Sequence, residues 1–426
     1  MRIFSQRWFR RSATFVLGLV ALTWCGAWVY SSSDSFGLLD PLPPVSGIDE
    51  LAPGFRVEIV RQLDEEVTAL AAGPKAYPEF ASHLFIGSSP RGSVQRFDPS
   101  SQSQASDLIA VGLGDRLKTG ICNVNALAIG DMDGDGIPEL LASTSQIEPR
   151  GRPRLYQWTI GYPSILKGVV RPEIASSWSH GIGFLHDPET NALSAYVAFC
   201  GFGEIVEYQF HKRSTSSGFA QESLGWKQVG QLPASGEWLQ VADVDNDDAP
   251  DLCVATGFAE GKAAIHVYSR DALDGSLVFE RKIDESGRFG NVHFLAGDLV
   301  GDGTNDLVAW WCEATDGGDC EMVRYHLGPN GALDRTPMAV APSDDLMPRD
   351  GQMLFHDLDG DGRNELWFAA RSGSLWRFDP VRSGAPARIL KLAGGIGPII
   401  GLYHDSKRYS GLYLGSGKDV ILLRQE

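Results

Sequence analysis

After residue 33 the apolar residues of this chain fall into short runs of strand length, separated by clusters of Gly, Asp, Asn, Pro and Ser. No stretch of useful length carries the 3.6-residue period of an amphipathic helix. This punctuation predicts short β-strands joined by turns. The strands also come in a fixed order. "VNALAIGD" (124–131) runs into an acidic loop, "ELLAST" (139–144) leaves it, and "RLYQWTI" (154–160) and "EIASSWS" (173–179) follow before the next unit. The pattern predicts a repeating unit of four strands.

The acidic loop sets the interval. "GDMDGDGIPEL" (130–140) recurs as "ADVDNDDAPDL" from Ala242, "GDLVGDGTNDL" from Gly297 and "HDLDGDGRNEL" from His356. The first aspartates are Asp131, Asp243, Asp298 and Asp357, spaced by 112, 55 and 59, and 112 is twice 56. A degenerate copy belongs near residue 187, where Asp187, Glu189 and Asn191 stand. Pro74 and Asp405 head two more copies in the same frame, and "GSVQRFDP" (92–99) matches "GSLWRFDP" (373–380) downstream of their loops. The 392 residues from Ser35 to Glu426 then hold seven units of 56.

Seven helix-free four-stranded units of this length predict an all-β fold, a seven-bladed β-propeller over 55–426. The last unit supplies only three strands, "PIIGLYH", "SGLYLGS" and "DVILLRQE", while "FRVEIVRQL" (55–63) precedes the first unit without a partner. Pairing that N-terminal strand into the last blade closes the ring and removes its open edge. An open β-solenoid would have shorter coils and no such device.

Composition adds two points. The 49 glycines among 426 residues exceed the usual share of about 7%, as many tight turns require. The net charge is −17, and the first 33 residues hold four arginines and no acid, so the remainder carries −21. Such a body repels nucleic acid and attracts cations. The arginines precede an apolar stretch, Ala13 to Tyr30, of nearly membrane-spanning length. Residues 1–33 are therefore expected to be a signal peptide or a membrane anchor, and 34–54 a linker. "CGA" (25–27) offers a cleavage site, whereas Trp28 and Tyr30 suit an interfacial belt. Both alternatives imply an exported protein, periplasmic or at the cell surface, anchored in the membrane or secreted.

In the first loop Asp131, Asp133 and Asp135 alternate, Gly136 follows and Glu139 takes the ninth place. Carboxylates so crowded repel one another unless a hard cation sits among them, and Ca2+ takes six to eight oxygens in flexible geometry. EF-hand geometry lacks support, because the flanking helices and the twelfth-place Glu are missing.

The repeat resembles the FG-GAP or VCBS-type calcium blade, found in the propeller head of integrin α-subunits. That resemblance implies ligands from the side chains at places one, three, five and nine and the carbonyl at place seven, in a loop joining the first two strands. Two sets are complete by that analogy: Asp131, Asp133, Asp135, Glu139 with carbonyl Ile137, and Asp357, Asp359, Asp361, Glu365 with carbonyl Arg363. Asp243, Asp245, Asp247 and Asp251 form a third, in which Asp248 replaces the glycine and is expected to strain the turn. Asp298, Asp302 and Asp306 form a fourth with Val300 at place three, where weak or absent metal is expected. Ala195 replaces the ninth-place acid in the Asp187 copy.

Of the six cysteines, Cys312 and Cys320 flank "EATDGGD" in a hairpin of the fifth unit and are candidates for a cross-strand disulfide. No zinc spacing appears. The loops entering each innermost strand gather at the channel mouth opposite the acidic loops. They carry Asn123, Asn125, His180, Glu237, Trp238, Asn291, His293, Arg349 and Asp350, candidate contacts for an extracellular protein or glycan. A polysaccharide lyase or hydrolase using Glu237 and Asp350 as acid and base is the alternative reading, and a structural subunit of an envelope assembly is another. No nucleophile motif supports catalysis.

Overall fold

The computed structural model describes residues 47–426 except 101–106, 111–112, 114–121, 147–152, 161–163, 171, 173–177, 187–192, 201, 215–219, 258–262, 272–274, 286–288, 314–318, 329–331, 343–347, 371, 380–385 and 404–409. The leader over 1–33, the degenerate loop of Asp187, Glu189 and Asn191, and Asp405 lie outside the described residues.

The described residues contain strands and turns and no helix. Seven antiparallel sheets form in chain order, and neighbouring strands are adjacent in sequence except where N-terminal strands join the sixth and seventh sheets. The second blade shows the plan: Cys122–Gly130, Glu139–Gln146, Arg154–Thr159 and Leu166–Val170, from the innermost strand outward. The sequence reading placed the fourth strand at "EIASSWS". It is Leu166–Val170 instead, where Lys167 and Gly168 break the apolar pattern, and Trp178 opens the next blade's Trp178–His186. Innermost strands of successive blades touch around the circle, and Ile399–Leu402 of the seventh returns to Glu66–Ala72 of the first.

Closure takes the expected form. Phe55–Gln62 pairs along its length with the C-terminal strand Asp419–Gln425 and completes the seventh blade. Upstream of it, within the segment read as a linker, Ile48–Leu51 adds to Ala387–Leu392 as a fifth strand of the sixth blade. Two blades are thus tied by N-terminal chain.

The core consists of layers between blades. Second strands such as Asp306–Cys312 are buried on both faces, which is why they read as continuous apolar runs. Period-two alternation sends Trp311 into the layer between the fourth and fifth blades and Trp310 into the next layer, both fully buried. Trp158 and Trp367 lie in other layers of the same kind. Cys312 and Cys320, opposite each other in the fifth blade with Cα atoms 4.2 Å apart, form the expected disulfide.

Leu423 is buried against both the closing strand and Gly411–Ser416. Leu423→Ala is expected to destabilise the protein by about 2–5 kcal/mol, whereas Leu333→Ala, at a 40% exposed position, should stay within about 0.5 kcal/mol. Denaturant unfolding of the two variants checks this.

Candidate functional site

The four acidic loops share one internal scaffold. In the second blade the Asp135 and Gly136 amides donate to Asp131 Oδ1 (3.1 Å) and Oδ2 (2.9 Å). The Ile137 amide donates to Asp135 Oδ1 (2.8 Å) and the Met132 amide to Glu139 Oε2 (2.9 Å). The sixth blade repeats every bond, with Asp361, Gly362, Arg363 and Leu358 as donors to Asp357, Asp361 and Glu365. The fourth repeats them around Asp243, Asp247 and Asp251. The fifth keeps them around Asp298 and Asp302. First-place carboxylates therefore accept the backbone amides that close each loop.

Places four and six need positive φ. Glycines supply it in three loops, at 69° and 85°, 76° and 84°, and 74° and 88°. In the fourth blade Asn246 (φ 59°) and Asp248 (φ 70°) are forced into the same region. Asn246 has compensation. Its Nδ2 donates to the Asn305 carbonyl (3.2 Å), its Oδ1 accepts from the Asn305 amide (2.7 Å), and Asn305 Nδ2 reaches the Asp243 carbonyl (2.7 Å). These bonds join the loops of the fourth and fifth blades.

Three loops bring carboxylate oxygens together. One oxygen each from Asp131, Asp133 and Glu139 lie within 4.8 Å of one another, as do those of Asp243, Asp245 and Asp251 and of Asp357, Asp359 and Asp361. Such all-oxygen sets fit a hard divalent cation. Among the described residues no such set forms around Asp298. There Asp306, fully buried, meets Arg324 Nη2 at 2.8 Å and His326 Nδ1 at 3.2 Å.

Burial raises the ninth-place acid in three loops, and it pushes Glu139 of the second up to about 7 against the opposing bonds from Lys167 and the Met132 amide. Burial pushes Asp251 up to about 7, the Val244 amide opposes this, and Asp245, Glu280 and Asp247 reinforce it. Burial and the Asp247 and Glu280 charges also raise Asp245. Glu365 is raised by burial, against the Leu358 amide. In the second blade the sequence reading missed Lys167, whose Nζ stands 2.9 Å from both Asp133 Oδ2 and Glu139 Oε1. Burial lowers its proton affinity, but these two carboxylates outweigh that and hold it above the usual lysine range.

The ring holds a cavity of about 500 Å³ lined by innermost strands, with Asn125, Trp238, Thr68, Gln240, Gly181 and Ile399 on its wall. No acid, histidine, lysine or arginine is among the described residues lining it. Thr68 Oγ1 donates to the Val124 carbonyl (2.8 Å), and Gln240 exchanges two bonds with Ala296 (2.9 and 3.0 Å), so both serve blade-to-blade contact. Asn125 accepts from Ser145 Oγ (3.2 Å), while its Nδ2 is covered and has no hydrogen-bond acceptor in the protein.

The other expected mouth residues are dispersed. Asn123 accepts from Ser89 Oγ of the first blade, and Asn291 and His293 are buried at 8% and 3% exposure. His180, Glu237, Arg349 and Asp350 sit on strands Trp178–His186, Ser235–Ala242 and Pro348–His356, and their side chains lie outside the described residues.

No protein-family model matches the chain, and no curated protein does. Among solved structures the chain is similar to Sqt1 of Saccharomyces cerevisiae, at 10% identity and a TM-score of 0.51, over 85% of this chain and 97% of that one. That likeness concerns the propeller fold alone.

Two outcomes follow from the fourth blade's loop. Asp248→Gly should relieve a left-handed non-glycine residue and raise metal-free stability by about 0.5–1 kcal/mol in denaturant melts. Asp251 binds its proton more tightly folded than unfolded, where an ordinary Asp titrates near 3.9. Its contribution is therefore present below about 4 and lost as pH rises through 7. Metal-free melting temperatures should fall across pH 5–8, and Asp251→Asn should flatten that slope.

Proposed function

We propose that this chain is an exported, calcium-stabilised β-propeller of the FG-GAP or VCBS type, whose channel binds an extracellular protein or glycan without catalysis. The calcium part is supported by the three oxygen sets on one frame and by the shared turn that the first-place aspartates hold in each loop. Residues of the fourth and sixth loops would hold the ion, which when bound would offset the charge of carboxylates whose proton affinity burial raises. Export rests on the basic and apolar N-terminal 33 residues.

The observation that carries the binding part is the cavity wall. The partly exposed Trp238 and the amide residues Asn125 and Gln240 line about 500 Å³ of space with apolar neighbours and no ionisable group among the described lining residues. Stacking and amide hydrogen bonding recognise a neutral polar ligand. General acid–base work needs titratable groups within reach of the ligand.

A glycan and surface-protein screen tests the reading. Binding is expected in calcium, with Trp238→Ala weakening it at least tenfold, about 1.4 kcal/mol. Release of reducing ends or unsaturated products that disappears in Glu237→Gln or Asp350→Asn would replace it with the enzymatic alternative. Calcium at about 100 times its dissociation constant should add about 2.7 kcal/mol of stability per site, read as a rise in melting temperature.

A further inference from the structure

The strand pairing of the second blade skips one residue. Leu166 faces Trp158 and Gly168 faces Gln157, so Lys167 is the extra residue of a β-bulge. The fourth blade skips one too: Phe279 faces Tyr268 and Arg281 faces Val267, which leaves Glu280. The two frames coincide. Trp158 faces Leu140, the residue after Glu139, and Tyr268 faces Leu252, the residue after Asp251. One structural position therefore carries a cation in the second blade and an anion in the fourth.

Lys167 is seated where an ion would go. Its side chain is 12% exposed, the Asp133 and Glu139 side chains are fully covered, and the Phe210 ring of the next blade lies 5.6 Å from Nζ. An ammonium donates to the same oxygens that Ca2+ would coordinate, and two cations in one pocket repel. We propose that Lys167 is the resident cation of the second blade's loop. Asp131, Asp133, Asp135 and Glu139, complete as a calcium sequence, then take no calcium, whereas the fourth blade, with Glu280 at that position, keeps its site open to an ion.

The fifth blade gives a parallel. Arg324 faces Val308, the second residue after Asp306, and ties that carboxylate at 2.8 Å. Arg377 of the sixth blade faces Trp367 in the equivalent place after Glu365 but stays 3.8 Å away, near the Phe55 and Trp367 rings at 5.7 and 5.9 Å. The second and fifth loops each set a side-chain cation against the buried carboxylate that opens the second strand.

This inference rests on the calcium reading above, and the test separates the two. Calcium bound per full chain is counted by equilibrium dialysis for the native protein, Lys167→Met, Asp131→Asn and Glu280→Lys. Lys167→Met should gain one ion, Asp131→Asn should match the native count, and Glu280→Lys should lose one. An unchanged count in Lys167→Met, an unchanged count in Glu280→Lys, or a lost ion in Asp131→Asn overturns the assignment. A native protein that takes no calcium ends the calcium reading alone. A single ion gained by Lys167→Met would still support the lysine's role, and no gain would overturn it.

Discussion

A carboxylate buried where a loop turns into a strand must be neutralised, and this ring imposes the demand in four blades. Glu139, Asp251, Asp306 and Glu365 each open a second strand at 4% exposure or less. Burying an ion costs several kcal/mol unless a partner charge and hydrogen bonds offset it. In three loops the second-place amide supplies one such bond. One neutral donor does not balance a full charge, so each loop needs a cation or a proton. The strand pairing determines which residues stand near enough to serve.

A different carboxylate, at place one, holds the loop's turn together. The aspartate at place one accepts two backbone amides and holds the turn, so the ligand oxygens are ordered by bonds that ordinary folding makes. Binding then loses less to conformational ordering, which favours affinity at a given charge count. The fourth loop departs from this at Asn246 and Asp248. Asn246 trades backbone ease for a bridge to Asn305, joining two loops that would otherwise meet only through the apolar layer behind them.

Most of the fold was legible, because it depends on periodicity that survives in any unit. The blade count came from one interval, and closure followed from an unpaired strand at each end of the chain. Boundaries were less visible. The fourth strand Leu166–Val170 carries Lys167 and Gly168 inside a run of five, so its apolar pattern is broken by the residue that matters most electrically. Ile48–Leu51 is too short and too exposed to announce itself as a strand. The acidic clusters were legible because they are local, within nine positions of one another. Their counter-charges were not, since Lys167 lies 28 residues from Glu139 and Arg324 lies 18 from Asp306, and only strand register brings them together.

Every innermost strand whose unit carries an acidic loop runs from the opposite mouth toward that loop, and this polarity divides the molecule's tasks. The acidic loops lie at one end, where Lys167 and Arg324 answer two of the buried carboxylates, and the described residues of the cavity wall carry no charge. Polar side chains on that wall are mostly committed to the neighbouring blade, as Thr68 and Gln240 are. A change there disturbs the contact between adjacent innermost strands, while the partly exposed Trp238 lines the cavity. Recognition in such a ring therefore has few positions to vary. The acidic loops can exchange one cation for another at their own corner of a blade, provided the buried carboxylate is neutralised.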